Sequence, residues 1–160
     1  MDEFLELLHE HDIQLLADVR TIPKSRAHPQ FGIDRLPDEL RTANISYTHL
    51  KVLGGLRHAA KDSLNTGWHN TSFRGYADYM ATPEFHAGLS DLEVLARQQR
   101  VAIMCAEVLP WRCHRSLIAD ALTVAGWHVS HIMSKKALKE HTLTVFLQVK
   151  DGNLTYPGSE

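Results

Sequence analysis

The sequence predicts an α/β domain in three layers, with a mainly parallel sheet flanked by helices and an antiparallel strand or hairpin near the C-terminus. Short apolar runs, typical of buried strands, alternate with longer segments of helical periodicity. The chain has 160 residues, 44% of them hydrophobic, which is enough for one domain over residues 1–160. Asp151-Gly152 lies between strand-like segments and indicates a hairpin turn.

The composition favours some classes of protein over others. The formal net charge of -2 gives no overall signature of nucleic-acid binding, although clustered arginines are compatible with a local positive cleft. Two cysteines do not make a disulfide framework and fit a reducing compartment. The acidic N-terminal segment has no basic region and no long apolar stretch, so we expect no secretory signal, no membrane span and a cytoplasmic location.

The first predicted elements are a helix and a strand. Asp2 is suited to cap a helix that ends near His11. Residues 13–19, IQLLADV, form an apolar run typical of a strand, and its end presents Asp18 and Arg20. These two side chains therefore come first among the candidates for a site at the edge of the sheet.

A long loop, a short helix and a second strand follow. The loop is rich in prolines and cations, includes Arg26, and is long enough to indicate a functional role. Residues 37–42 predict a short helix. Residues 45–50 alternate in polarity and predict a strand with Tyr47 and His49 on one face.

The middle of the chain combines a glycine pair with a helical stripe. Gly54 and Gly55 permit a sharp bend or the close approach of a ligand. Residues 72–80 predict a helix in which Phe73 and Tyr76 share one side, and the simplest interpretation of that side is core packing.

A longer helix precedes the strand that the sequence predicts to be central. Thr-Pro-Glu at residues 82–84 is a helix start, because it combines a capping hydroxyl, an early proline and an acid near the positive helix end. This helix ends near Arg100. The next strand begins at Val101, and a helix over residues 111–125 follows it.

The C-terminal part is predicted as strands around a short helix. Residues 127–133 predict a strand, residues 134–141 a short helix, and residues 142–149 a last strand. The segment after Asp151-Gly152 pairs back as a hairpin in this interpretation.

Reactive side chains are concentrated where the strand from Val101 gives way to a helix. Open α/β sheets bind ligands beyond the carboxyl ends of their strands, and this junction is such a place. Its chemical groups are those of Cys105, Glu107, Arg112, Cys113, His114 and Arg115.

Four interpretations of this junction remain open. A helix N-terminus and nearby cations favour a thiolate at Cys113 or Cys105, with Glu107 and His114 transferring protons. The same N–H groups and arginines also suit a bound phosphate or carboxylate, in an order similar to the loops of cysteine phosphatases and rhodanese-like enzymes. Cys105, Cys113 and His114 could instead ligate a divalent metal such as Zn²⁺. In the fourth interpretation these residues only pack or pair.

Residues from the other predicted strand ends and loops complete the candidate substrate site. Asp18 is expected to orient Arg20 or His114. The aromatic members could stack against nucleobases. The whole candidate substrate-binding set is Asp18, Arg20, Ser25, Arg26, Tyr47, His49, Gly54, Gly55, Phe73, Tyr76, Arg112 and Arg115.

Five ordered blocks resemble the "domain of unknown function 488" family. They are DVRTIPKSRAHPQF (18–31), ISYTHLKVLGG (45–55), FRGYADYM (73–80), CAEVLPWRCHRSLIADAL (105–122) and GWHVSHI (126–132). The resemblance implies an α/β fold and a shared site drawn from these blocks, with no established activity. Family members commonly open with a strand ending in a Thr-Ile-Gly-His-Ser-like motif, whereas this sequence starts within the next helix. Either the start is truncated or the fold has one strand fewer, and an absent strand would leave an exposed sheet edge that favours homo-oligomers.

These observations predict a cytosolic enzyme that acts on a phosphate-bearing or otherwise anionic substrate, with nucleotides and nucleic acids among the candidates. It would be a thiol-dependent hydrolase or transferase that needs no cofactor. The alternatives are a non-catalytic module that binds nucleotides or nucleic acid, and a structural domain stabilised by a divalent metal.

Overall fold

The structure, a computed structural model, describes residues 1–24, 27–105 and 113–158. Helices are interspersed with strands as far as the last helix, and strands alone follow it. In chain order the elements are α1 Asp2–Glu10, β1 Leu15–Asp18, a 3₁₀ turn Pro29–Phe31, α2 Leu36–Thr42, β2 Ser46–His49, a 3₁₀ turn Lys51–Leu53, α3 Thr71–Tyr79, α4 Pro83–Gln98, β3 Val101–Met104, α5 Arg115–Val124, β4 Ser130–Ser134, β5 Ala137–Glu140, β6 Gln148–Lys150 and β7 Asn153–Thr155.

A parallel sheet in the order β2-β1-β3 brings the strand ends to one edge. Leu15 lies opposite Ser46 and Val101, and the pairing continues in register to Asp18. The predicted fold class is confirmed. The prediction that the strand from Val101 is central was wrong, because β1 lies between β2 and β3 and periodicity reports burial but not strand order.

Alternating side chains of β1 enter two separate cores, which confirms the three layers. Leu15 and Ala17 pack in a cluster formed largely by α3, α4 and α5. Leu16 packs in a second cluster with α1 and α2. All four residues of β1 are buried, because a parallel strand between helical layers has no face toward water.

Side-chain caps start two of the helices. The Thr82 hydroxyl accepts a hydrogen bond from the backbone N–H of Phe85 at 3.2 Å, which confirms the predicted start of α4. The Asn70 side chain caps α3 in the same way. The predicted cap at Asp2 was wrong, because Met1 occupies the N-cap of α1 and Asp2 lies in its first turn.

The C-terminal part differs from the sequence prediction in two places. Residues 134–141 were predicted as a helix, but β5 within them pairs antiparallel with β4. The predicted strand over residues 142–149 is reduced to the start of β6, because the Thr144 hydroxyl donates to Asp120 of α5 and ties the chain there. The hairpin at Asp151-Gly152 is confirmed by the pairing of β6 with β7.

Two features of the described surface bear on possible partners. Within the described ranges, β3 pairs with β1 alone, so its outer edge has no hydrogen-bonded strand. No helix in this part of the chain combines the length and apolar character needed to cross a membrane.

Candidate functional site

A buried ion pair lies at the carboxyl end of β1. Asp18 accepts hydrogen bonds from Nε of Arg20 at 2.9 Å and from Nη2 at 2.7 Å. The Tyr47 hydroxyl donates to the same carboxylate at 2.5 Å. Burial by itself raises the pKa of Asp18, but the hydrogen bonds from Arg20 and Tyr47 outweigh it and hold that pKa below its usual value.

This ion pair fixes the chain that follows β1. Nη2 of Arg20 also donates to the carbonyl of Phe31 at 2.8 Å, and Nε2 of His49 donates to the carbonyl of Arg20 at 2.6 Å. Asp18 therefore orients Arg20, as the sequence predicted. An anion that reaches Arg20 has to compete with the Asp18 carboxylate for the guanidinium.

The glycine pair lets the loop after β2 approach its neighbours closely. A Cβ on Gly55 would lie 2.6 Å from Nδ1 of His114, and a Cβ on Gly54 would collide with the side chain of Thr21. The ring of Tyr76 also packs on the imidazole, with centroids 4.8 Å apart. The close approach predicted for the pair is therefore made by His114 and Thr21.

His114 lies between a backbone carbonyl and a sulfur. Nε2 is 3.1 Å from the carbonyl oxygen of Val19, and since a carbonyl can only accept, we assign the ring proton to Nε2. Nδ1 of the neutral ring is then an acceptor, and it lies 3.5 Å from Sγ of Cys113. The backbone N–H of Arg115 donates to the same sulfur at 3.4 Å.

The imidazole of His114 is neutral at pH 7. Burial lowers the pKa of His114 to about 4, and hydrogen bonds to the carbonyls of Val19 and Leu53 offset only part of that effect. The charges of Arg115 and Arg57 lower it further. A neutral imidazole beside a sulfur at the start of a helix can accept a thiol proton, and the N–H of the helix can stabilise the resulting thiolate.

The two cysteines are paired with each other. Their sulfurs are in direct contact as a disulfide, the Cα atoms are 7.3 Å apart, and Cys105 and Cys113 are 8% and 5% exposed. The cysteine count had argued against disulfides, whereas this pair joins the end of β3 to the start of α5. Helix α5 begins at Arg115 with His114 as its N-cap, so Cys113 precedes the first turn in which the sequence placed it.

Arg115 borders a cavity of about 470 Å³ beside the outer edge of β3. The residues around this cavity that carry positive charge or an imidazole are His11, Arg100, Arg115, His128 and His131. None of the described lining residues is Asp or Glu. Arg115 lowers the pKa of both His114 and His131, so its charge acts on both rings.

The aromatic candidates occupy three different environments. Tyr76 is fully buried and its hydroxyl donates to the carbonyl of Leu53 at 2.8 Å, so no nucleobase can stack on this ring. Phe73 packs against Trp68 with centroids 5.2 Å apart, as the core interpretation of this helix predicted. Tyr47 is held by its hydrogen bond to Asp18.

Four predicted site residues are not among those that the structure describes. Ser25, Arg26, Glu107 and Arg112 lie outside the described residues, so the roles assigned to them stay predictions. In the described ranges, no group of three or more His, Cys, Asp or Glu residues is arranged to hold a metal ion.

Sequence reasoning missed a buried carboxylate in α5. Asp120 is fully buried and accepts hydrogen bonds from the hydroxyls of Tyr156 at 2.9 Å and Thr144 at 2.7 Å. Nε2 of His141 lies 2.8 Å from the same carboxylate. The sequence did contain one indication of this carboxylate. An aspartate lies within the apolar face of the predicted helix, and an acid is rare there unless it is paired.

Comparison with known proteins gives one match. Residues 1–122 match the family described as "Domain of unknown function DUF488", which covers the first four resembling blocks. No curated protein and no solved structure matches the chain. The geometry of the site is therefore the basis for an inference about function.

Proposed function

The chain belongs to the DUF488 family, whose description states no activity, and on that premise we propose a thiol-dependent enzyme that acts on phosphate-bearing or other anionic substrates in the cytoplasm. Cys113 is the nucleophile, His114 is the base that activates it, and Arg115 binds the anionic group. Nucleotides and the ends of nucleic acids belong to this class of substrate.

One observation carries the proposal. Sγ of Cys113 has an unprotonated imidazole nitrogen 3.5 Å away on one side and a helix N–H 3.4 Å away on the other. The imidazole can accept the thiol proton, and the N–H stabilises the negative sulfur that remains. Simple packing of a buried cysteine requires neither group.

The paired cysteines define a resting form in this proposal. A dithiol reductant supplies two electrons and two protons, the S–S bond breaks, and Cys105 and Cys113 each gain a thiol proton. Cys105 then serves as the partner that protects the reactive sulfur from further oxidation by re-forming the disulfide.

The reduced site supports a two-step transfer. The proton of Cys113 passes to Nδ1 of His114, the thiolate forms an S–P bond with the substrate, and the P–O bond to the leaving group breaks as His114 protonates the leaving oxygen. A water molecule then attacks phosphorus, which breaks the S–P bond and returns the thiol. The guanidinium of Arg115 stabilises the negative oxygens during both steps.

A non-catalytic module that binds nucleotides is the competing class. It would use the same cations, but the buried ring of Tyr76 and the net charge of -2 favour the enzyme. Binding that depends on salt, shows no turnover and is unchanged by Cys113→Ser would support the module instead.

The test is the pH dependence of alkylation by iodoacetamide in Cys105→Ser, which leaves Cys113 as a single free thiol. We expect the midpoint to lie clearly below the ordinary thiol pKa of roughly 8.5. His114→Gln in this background should raise the midpoint, because it removes the imidazolium that the negative sulfur, 3.5 Å from Nδ1, would favour and that would stabilise the thiolate in return. The matched control, His86→Gln, changes an exposed histidine of α4 and should leave the midpoint unchanged. A midpoint near the ordinary value that does not respond to His114→Gln would contradict the proposal.

A further inference from the structure

A chain of hydrogen bonds runs outward from the buried carboxylate of α5. Nε2 of His141 is 2.8 Å from Oδ1 of Asp120, and Nδ1 of His141 is 2.8 Å from Nε2 of His131. Asp120 is fully buried, and the His141 side chain is 6% exposed. His131 is partly exposed and lies at the outer end of this series of hydrogen bonds.

The carboxylate determines which nitrogen carries each proton. A carboxylate only accepts, so Nε2 of His141 carries a proton and donates it to Asp120. With one proton on each ring, Nδ1 of His141 is an acceptor and Nε2 of His131 is the donor to it. The remaining nitrogen of His131, Nδ1, therefore carries a lone pair. In catalytic triads a carboxylate orients an imidazole in the same way.

A purely structural role explains only part of this cluster. The hydroxyls of Thr144 and Tyr156 already tie the C-terminal segment to Asp120. Among the described residues, the second imidazole, that of His131, hydrogen-bonds to His141 and lines a cavity.

His131 borders the cavity that also contains Arg115. It lines both the 470 Å³ cavity beside β3 and a smaller one of about 230 Å³. The charged or titratable groups that act on it are His141, Arg115 and Lys139, and together with burial they lower the pKa of His131 to about 4. The free ring is therefore neutral, and a bound anion nearby would offset the repulsion from these cations.

We propose that His131, oriented by Asp120 through His141, accepts a hydrogen bond at Nδ1 from an anionic ligand with an ionisable O–H group, such as a phosphate or phosphate-monoester monoanion, bound beside Arg115. The proton stays on the ligand oxygen near neutral pH, and when His131 is protonated at lower pH, Asp120 stabilises the imidazolium through His141. The inference rests on the proposed function for its ligand class. It assigns a ligand-binding group to the cavity beside β3 that Arg115 borders, with Asp120 and His141 as positioning residues.

The experiment uses protein labelled with ¹⁵N at histidine, studied by two-bond ¹H–¹⁵N correlation over a pH titration with and without inorganic phosphate. We expect the Nε2–H form at both His131 and His141. Phosphate should raise the pKa of His131 by about one pH unit, equivalent to tenfold tighter proton binding. At pH 6 a rise from about 4 to about 5 leaves the ring mostly neutral, so this linkage predicts little loss of phosphate affinity in His131→Gln there, and a loss approaching tenfold only below about pH 4.

His86→Gln is the matched control, because His86 is an exposed histidine of α4 that lies outside both the cavity lining and the hydrogen-bonded chain. It should leave the phosphate affinity and the His131 titration unchanged. The tautomer measurement on the unmodified protein needs no variant, so it stands even if His131→Gln fails to fold.

Three results would overturn the inference: an Nδ1–H form at His131, a His131 pKa that saturating phosphate does not move, or no phosphate binding. The Cys105→Ser/Cys113→Ser double variant should show the same phosphate response as the unmodified protein. An unreactive Cys113 would therefore refute the thiol mechanism alone. The role of His131 would still be decided by its own titration with phosphate.

Discussion

Gly55→Ala perturbs the site without introducing a new functional group. Gly55 is not among the glycines with positive φ, so alanine fits its backbone and the effect comes from the added Cβ. That Cβ would lie 2.6 Å from Nδ1, 3.0 Å from Cε1 and 3.1 Å from Cγ of His114. Comfortable contacts between such atoms are about 3.5 Å or longer, so the ring or the loop has to move.

The size of the effect follows from how His114 is held. Its Nε2 is bonded to Val19 and its ring packs on Tyr76, so the imidazole cannot move without losing a contact. Overpacking of this kind typically costs about 1–3 kcal/mol, and we expect the free energy of unfolding to fall by that amount. Displacement of Nδ1 from Cys113 should also raise the midpoint of alkylation in the Cys105→Ser background.

Urea unfolding followed by tryptophan fluorescence, together with the alkylation profile, measures both effects. Gly126→Ala is the control: Gly126 has φ +100° at the other end of α5, and a Cβ there would meet no atom within 4 Å. Its left-handed backbone makes alanine cost about 1–2 kcal/mol, while the alkylation midpoint should not change. If Gly55→Ala matched the unmodified protein in both measurements, the packing of Gly55 against His114 would be refuted.

Three further predictions concern stability and assembly. The free energy of unfolding should fall by up to about 3 kcal/mol between pH 6.5 and 4, because unfolded His114 takes up a proton near pH 6.5 while the folded pKa is about 4. Above pH 7 this contribution is constant, and urea titrations of His114→Gln should show a shallower pH dependence. Thr82→Ala should lose about 1 kcal/mol in urea unfolding through its missing cap, whereas Asp2→Ala, which removes no cap, should lose less. We also propose homo-oligomers through an exposed sheet edge, for which light scattering should show a mass that rises with concentration; a mass that stays that of the monomer would contradict this proposal.

Patterns within a few residues correctly predicted those helices and strands whose formation depends on neighbouring residues in the sequence. The apolar run at β1 indicated a strand buried on both faces, and Thr82 indicated a helix start, because each signal lies within a few residues. Residues 134–141 were misread because Lys, Ala, Leu and Glu favour helices, whereas the pairing of His131 with Lys139 makes them a hairpin. That pairing depends on tertiary structure, which a short window does not contain.

The sequence predicted which residues belong to the candidate site better than it predicted which hydrogen bonds those residues make. The density of reactive side chains pointed to Cys113, His114 and Arg115, which the structure brings together. Arg20 was predicted as an anion-binding cation, but Asp18 occupies its guanidinium. The backbone carbonyls that fix the tautomer of His114 have no side-chain signature, so only the fold reveals them.

The most direct test of the pairing between Cys113 and His114 is a spectroscopic titration of the thiolate. The ultraviolet absorbance of Cys105→Ser, minus that of the double variant without sulfur, follows ionisation of Cys113 alone. The geometry predicts a midpoint well below roughly 8.5 that rises when His114 is replaced by glutamine. A midpoint at or above that value, unchanged by the replacement, would contradict an activated thiol at this site.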